Sequence, residues 1–162
     1  MFTRNGKGLT AKGIKPICKF QQVFKSLYLF GAFSPITGDH FELEMPYCNT
    51  DAFQVYLNEF SKSSPDEYKI LLLDNGAFHK AMKLSIPDNI ALIFIPPYSP
   101  ELNPAEKIWH KMKRAFSGKL HKTLDNVSEF IRNQVNKLTD ENVKSICKYE
   151  YIFLYPNWTN TY

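Results

Sequence analysis

Residues 70–114 read ILLLDNGAFHKAMKLSIPDNIALIFIPPYSPELNPAEKIWHKMKR, and this stretch decides the predicted fold. An apolar run ends at Leu73 and is followed directly by Asp74, which is the pattern of a buried strand that emerges at a carboxylate. A Pro-rich loop then leads into a helix whose first turn holds Glu106. Two carboxylates delivered by separate elements to one place are what a divalent-metal site for phosphoryl transfer requires.

The composition predicts one folded domain. The chain has 162 residues, of which 44% are hydrophobic and 15% aromatic, values that fit a packed core and exclude a disordered segment. Its three cysteines, Cys18, Cys48 and Cys147, lie far apart without metal-ligand spacing, so neither a zinc site nor a disulfide framework is expected. The polar start is no secretory signal, and no apolar run reaches membrane-spanning length. We therefore expect a cytoplasmic protein without a membrane partner.

The charge is unevenly distributed along the chain. No Asp or Glu precedes Asp39, although that part carries six basic residues, and a second basic cluster runs through residues 107–122. Because phosphates attract Lys and Arg whatever the sequence, two basic zones around a carboxylate site suggest a polyanion as partner. A solvated basic surface is the equally simple alternative.

The first half of the chain predicts a hairpin, a helix and a strand. Residues 24–33 and 40–47 are aromatic and apolar runs separated by turn residues, so they predict an antiparallel pair. Asn49 or Thr50 is a suitable cap for a helix with apolar residues at helical spacing. Residues 68–73 predict a strand buried on both faces.

The second half alternates in the same way. A short helix over residues 78–84, a buried strand over 90–95, and helices over 104–116 and 124–138 follow in order. Asn103 is the expected cap of the helix that holds Glu106, with Pro104 as its first residue. The order predicts an α/β fold with a mixed sheet.

Each acid also has a structural interpretation. Asp74 with Asn75 and the glycine after it favours a simple turn, and Glu106 in a first helical turn is favoured by the helix dipole and by capping with Asn103. Glu101, in the Pro-rich loop, competes with Glu106 for the catalytic role. On the helix itself, the polar stripe of Lys107, Lys111 and Arg114 fits either a DNA backbone or plain solvent.

DNGAFHK followed by IPPYSPELNPAEKIWHKMKR resembles the DDE transposases of the Tc/mariner superfamily, in the bacterial insertion-sequence branch. LYLFGAFSPITGDHF is similar to the hairpin of the same family, and the resemblance covers about residues 12–120. It implies a ribonuclease H-like fold and metal-dependent cleavage and transfer of DNA strands, with transposon ends and target DNA as partners.

The resemblance also implies roles for residues. Three carboxylates of the family hold two Mg²⁺ ions, with Mn²⁺ as substitute, and Asp74 and Glu106 match the second and third of them. Asn75, His79 and Asn103 match supporting positions. The DNA-binding residues expected from the polar stripe of the helix, independently of the resemblance, are Lys107, Lys111 and Arg114.

The first carboxylate has no counterpart in this sequence. The family places it on the first strand of the sheet, which would lie upstream of Met1, and Asp39 belongs to the hairpin turn and is rejected as a substitute. We therefore expect a partial catalytic domain, with residues 1–23 as a basic remnant, 24–140 as the domain lacking its first strand, and 141–162 as a tail. Such a chain would be either a degenerate remnant or the downstream product of a split or frameshifted gene. It is expected to be inactive alone, and an upstream transposase fragment or a full-length transposase could be its partner.

Two other functions stay open at this stage. The chain could be a non-catalytic module that binds DNA or a transposase, in which case DNA binding would not depend on Asp74. It could also be an unrelated α/β domain in which Asp74 and Glu106 only form a turn and a cap. The Pro-Pro-Tyr-Ser-Pro-Glu-Leu-Asn-Pro run at residues 96–104 argues against the second of these.

Overall fold

A two-stranded antiparallel hairpin opens the described part of the chain. The computed structural model describes residues 12, 26–74, 84–117, 119, 121 and 123–149. Strands β1 (Tyr28–Phe33) and β2 (His40–Met45) pair from Tyr28 with Met45 to Phe33 with His40. Gly38 permits the turn between them because its φ is +87°, a conformation that side chains rarely tolerate. The predicted hairpin is confirmed.

Helix α1 (Thr50–Ser63) covers one face of the hairpin. Asn49 caps it by accepting a hydrogen bond from the Ala52 N–H at 2.9 Å, as the sequence predicts. Its apolar face is buried and forms the first core cluster with one residue of β1 and with Ile90, which belongs to a later strand. The buried members of this cluster are Ala32, Phe53, Tyr56, Leu57 and Ile90. Burial of this stripe fixes α1 against the hairpin.

Strands β3 (Lys69–Leu73) and β4 (Ile90–Phe94) form a parallel pair. The prediction that both faces of these strands are buried is wrong, because Ile70 and Ile93 are 47% and 38% exposed. Alternate residues of a strand point to opposite faces, and only the face with Leu71 and Leu73 packs on the first core cluster. Among the described residues, the antiparallel and parallel pairs form two separate sheets.

The last part of the chain is helical. One 3₁₀ turn, Pro100–Leu102, interrupts the Pro-rich loop, where no regular structure was expected, and α2 (Ala105–Phe116) follows it. Helix α3 (Leu124–Val135) ends one turn before the predicted boundary. Helix α4 (Asp140–Cys147) was not predicted, although Thr139 caps it and apolar residues recur at helical spacing.

The second face of the hairpin carries a second core cluster. Ile108 and Met112 of α2 pack there with Leu138, Val143 and Cys147, and Leu29 and Phe33 of β1 border them. The hairpin therefore lies between α1 on one side and α2 with α4 on the other. No helix of the described residues is long and apolar enough to cross a membrane. Predictions for the short helix over residues 78–84 and for the basic N-terminal segment lie outside the described residues, apart from Lys12 and Leu84.

Candidate active site

Asp74 lies where β3 ends. It follows Leu73, the last residue of the strand, and its side chain is exposed. The Leu73 carbonyl accepts a hydrogen bond from the Ile95 N–H at 2.9 Å, so the chain just after β4 runs beside Asp74. Both parallel strands thus end at the same edge, which is the edge where ligands bind in α/β sheets.

Cys48 follows the end of the hairpin at which β1 begins, and the charge of Asp74 acts on it. Burial raises the pKa of the Cys48 thiol, and the negative charge of Asp74 raises this pKa further. Cys48 comes soon after Met45, which pairs with Tyr28, whereas Asp39 precedes His40, which pairs with Phe33 at the other end.

Asp39 is therefore distant from Asp74 along the hairpin. A strand of six residues, such as β1, is roughly 17 Å long. Cys48 and Asp39 stand at its opposite ends, and the charge of Asp74 acts on Cys48. The rejection of Asp39 as a replacement for the first carboxylate stays a prediction.

Glu106 is presented by the start of α2. The Asn103 side-chain Oδ1 accepts a hydrogen bond from the Ala105 N–H at 3.1 Å. The Asn103 backbone carbonyl accepts one from the Glu106 N–H at 3.1 Å. Asn103 therefore caps the helix as predicted. Its own N–H donates to the Pro100 carbonyl at 3.0 Å, so the reciprocal cap in which Glu106 would accept that N–H is not formed.

Both predicted acids line one groove. It has a volume of about 1200 Å³ and lies between β1 and β3, all of whose residues line it, and Asp74, Asn103 and Glu106 line it as well. Glu101, the competing acid, is exposed in the 3₁₀ turn and is not among its lining residues. The groove also extends to Asp39 and Asp140 at the hairpin turn.

Lys107, which follows Glu106, contacts the chain just after α4. The Lys107 ammonium donates to the Lys148 carbonyl at 3.2 Å and lies 3.9 Å from the centre of the Tyr149 ring. Burial raises the pKa of Tyr149, and the charges of Cys147, Glu101 and Glu106 act in the same direction. Lys107 therefore ties the start of α2 to the end of α4, in addition to any role toward a ligand.

The other predicted DNA contacts are exposed on α2. Lys111 and Arg114 make no ion pair with a described residue, since the described pairs are His40 with Glu42 and Lys62 with Glu59. A second, shallower groove of about 350 Å³ runs beside them and is lined by Glu106, Lys107, His110 and Lys113. A polyanion lying along α2 would meet several cations here.

The donor set at Asp74 and Glu106 fits one hard divalent cation. Mg²⁺ is usually held by one or two carboxylates and keeps several waters, and both side chains are exposed in a common groove. The described residues contain no group of three or more His, Cys, Asp or Glu side chains that could hold an ion by themselves. Two further predicted site residues, Asn75 and His79, lie outside the described residues.

One positioning contact of the site was missed by sequence reasoning. The Trp109 ring packs on Gly31 of β1 and edge-on against Phe33, with ring centroids 5.2 Å apart. Trp109 was predicted to be a core residue of its helix, but nothing in the local pattern indicates that its partner is a glycine on a distant strand. This contact sets the height of α2, and hence of Glu106, above the hairpin.

Comparison with known proteins identifies the family. The family model described as DDE superfamily endonuclease matches residues 3–130. The chain belongs to the DDE endonuclease superfamily. It is also 40% identical, over 116 residues, to the uncharacterized protein y4pE/y4sA of Sinorhizobium fredii (strain NBRC 101917 / NGR234), a match that covers 70% of this chain and 86% of that protein.

Two solved structures share the fold of this DDE family member. They are the Mos1 transposase paired-end complex with left transposon end, at 18% identity, and the Mos1 strand transfer complex, at 16% identity, both with a TM-score of 0.66. Each match covers 90% of this chain but 46% of the Mos1 chain, so this chain spans less than half the length of that transposase. These structures confirm the predicted ribonuclease H-like α/β fold. The family model confirms the predicted DDE family.

Proposed function

We propose that this chain is the downstream part of a transposase catalytic domain that cleaves and joins DNA strands with divalent metal ions. The observation that carries the proposal is the common groove that Asp74 and Glu106 line, because the two acids come from elements far apart in sequence. Membership of the DDE endonuclease superfamily supports DNA phosphoryl transfer as the chemistry. The Mos1 structure with a transposon end supports DNA as the substrate.

The two carboxylates would hold Mg²⁺, or Mn²⁺ in its place, which would supply Lewis-acid stabilisation of charge at the reacting phosphate. The other residues of the chain would keep these two side chains in position. Asn103 fixes the first turn of α2 and so directs Glu106 into the groove. Asn75 and His79 are proposed as supporting residues on the basis of the family resemblance. Lys107, Lys111 and Arg114 would neutralise the DNA backbone beside the acids.

The isolated chain is proposed to be inactive. Among the described residues β1 pairs only with β2, and β3 only with β4, while both β1 and β3 line the groove. A strand that carries the first acid would fit between them, and an upstream transposase fragment or a full-length transposase would provide it. With two of three family carboxylates, metal binding would be too weak to support strand cleavage.

A nicking assay tests this proposal. The purified chain, incubated with supercoiled plasmid and Mg²⁺ or Mn²⁺, is expected to leave the plasmid intact. Addition of a polypeptide that carries the upstream strand is expected to restore nicking, and Asp74→Asn or Glu106→Gln in this chain would then abolish it. Metal-dependent nicking by the chain alone that disappears in Glu106→Ala would disprove the inactivity.

A non-catalytic DNA-binding module is the second candidate. The exposed cations of α2 favour it, because Lys111 and Arg114 make no ion pair with described residues. It predicts salt-sensitive DNA binding that Asp74→Asn leaves unchanged, with no nicking in any combination of fragments. Restored nicking with an upstream fragment would exclude it as the whole function.

A further inference from the structure

Tyr98 combines full exposure with an unusual backbone conformation. Its side chain is 101% exposed, and its φ of 60° is the one positive value of a non-glycine residue in the described part of the chain. A bulky residue in this region of φ/ψ space costs free energy and is an outlier. The backbone of Tyr98 is strained, and its ring lies fully in water, where it gains nothing from packing. The conformation therefore calls for another explanation.

The backbone on both sides of Tyr98 is fixed. Ser99 donates its hydroxyl to the Pro97 carbonyl at 3.4 Å and accepts the Leu102 N–H on its own carbonyl at 3.0 Å. The 3₁₀ turn Pro100–Leu102 follows at once, and proline rings restrict the backbone on either side. The loop therefore holds the ring outward as a built feature.

Tyr98 follows the strand edge at which Asp74 lies, although Tyr98 itself does not line the groove of the two acids. Ile95, whose N–H is bonded to the Leu73 carbonyl at 2.9 Å, neighbours Asp74, and Tyr98 is three residues further along the chain. Because three residues span at most about 11 Å, Tyr98 lies within that distance of Ile95 and so near the edge of β3 and β4 at which Asp74 lies. The same loop then continues into α2 and Glu106.

We propose that Tyr98 stacks on an unpaired nucleobase next to the phosphate that the acids bind. This inference rests on the proposed function. Stacking of bases on exposed aromatic rings is the common way in which proteins hold single-stranded DNA, and the ring offers a flat face at low conformational cost. The exposed cations Lys111 and Arg114 on the following helix favour DNA over an apolar protein partner as the ligand.

The test measures binding of the full-length chain to short fluorescent single-stranded oligonucleotides at low salt. Tyr98→Ala is expected to weaken binding about 5- to 150-fold, and Tyr98→Phe to bind like the wild type, because stacking needs the ring and not the hydroxyl. A series of oligonucleotides, each with one abasic position, should then be bound by the wild type. For one position in the series, the wild type should lose as much affinity as Tyr98→Ala loses on the intact oligonucleotide. At that position Tyr98→Ala should cause no further loss.

A second variant separates binding from folding. Tyr98→Gly removes the ring and suits the positive φ, so it should unfold at the same or a higher temperature than the wild type while it loses as much affinity as Tyr98→Ala. Salt-sensitive DNA binding that is equal in wild type, Tyr98→Ala and Tyr98→Gly would overturn this inference and leave the proposed function standing. Absence of salt-sensitive DNA binding in the wild type would also overturn this inference. The proposed function would fall only if nicking were not restored by the upstream fragment.

Discussion

The indole of Trp109 lies directly on Gly31, with its Cη2 atom 2.8 Å from the position that a Cβ on Gly31 would take. Gly31→Ala therefore forces either the ring or the strand to move. We expect the free energy of unfolding to fall by about 1–3 kcal/mol, the usual cost of overpacking a well-filled site. Urea unfolding followed by tryptophan fluorescence measures this change.

A double variant serves as the control for this contact. Trp109→Phe shortens the side chain that meets the new methyl group, so Gly31→Ala should cost less in the Trp109→Phe background than in the wild type. Circular dichroism is suited to this comparison, because it reports unfolding in both backgrounds. Equal costs in the two backgrounds would show that the strain of Gly31→Ala lies elsewhere than at Trp109.

The cations of α2 should determine the salt dependence of DNA binding. Removal of Lys111 and Arg114 together is expected to lower the slope of log K against log salt by about 1–2, because each phosphate contact contributes roughly one released counterion. Titrations at several salt concentrations give the slope. Lys62→Ala on α1 is the matched control, since it removes an exposed cation that is paired with Glu59. A slope that changes equally in the control would refute an interface on α2.

Glu42 should make the protein less stable as the pH rises. Its side chain is 7% exposed; burial raises its pKa above the ordinary value of 4.5, and the hydrogen bond and charge of His40 oppose the shift. The native state therefore holds this proton more tightly than the unfolded state does. The free energy of unfolding should decline as the pH rises from the ordinary range of a glutamate through the raised pKa.

A pair of variants separates the effect of burying Glu42 from the opposing contribution of His40. In a His40→Asn background the opposing contribution is gone, so the decline with pH should be steeper than in the wild type. Adding Glu42→Gln to this background should remove the part of the decline that Glu42 causes. Chemical denaturation at closely spaced pH values measures the free energy of unfolding in each variant. Glu67→Gln, at an exposed glutamate, is the control and should leave the profile unchanged. If His40→Asn and His40→Asn/Glu42→Gln gave the same profile, burial of Glu42 would have no energetic role.

The two described thiols should differ strongly in reactivity. Burial raises the pKa of Cys147 to about 11, although the charge of Lys107 acts in the opposite direction, and the side chain is fully buried. At pH 8 about one molecule in a thousand would carry the Cys147 thiolate. In a Cys18→Ser background we expect Cys48, which is exposed, to react with iodoacetamide and Cys147 to react only on unfolding.

Mass spectrometry of the labelled protein distinguishes the two sites. The pH–rate profile of Cys48 should itself move to lower pH in Asp74→Asn, because the carboxylate of Asp74 contributes to its raised pKa. An unchanged profile would mean that the Asp74 carboxylate does not act on the Cys48 thiol in solution. Labelling of native Cys147 as fast as Cys48 would contradict the packing of α4 against α2.

Local patterns predicted most of the elements because each depends on neighbouring residues. Asn49 caps α1 and Asn103 caps α2, and both caps follow from a polar residue placed just before an apolar period. Helix α4 was not predicted, although the same kind of cap precedes it. Thr139 and the acids after it were sufficient to predict its start.

Other features depend on contacts between distant residues. Ile70 and Ile93 belong to apolar runs, and a single sequence does not say which face of such a strand is covered. Trp109 meets Gly31 only because α2 folds back over the hairpin. The outward ring of Tyr98 could not be predicted either. A tyrosine rarely adopts a positive φ, so its residue type gave no indication of this backbone conformation.

The position of the hairpin between two core clusters has a consequence for the order of folding during synthesis. The cluster under α1 uses residues up to Leu92, whereas the cluster on the other face is complete only with Val143 and Cys147. Until α2 and then α4 leave the ribosome, Leu29 and Phe33 would lie on an incompletely covered face of the hairpin, the kind of surface that chaperones bind. Pulse proteolysis of nascent chains that end before and after α4 should therefore reveal a protected first half and a late closing step.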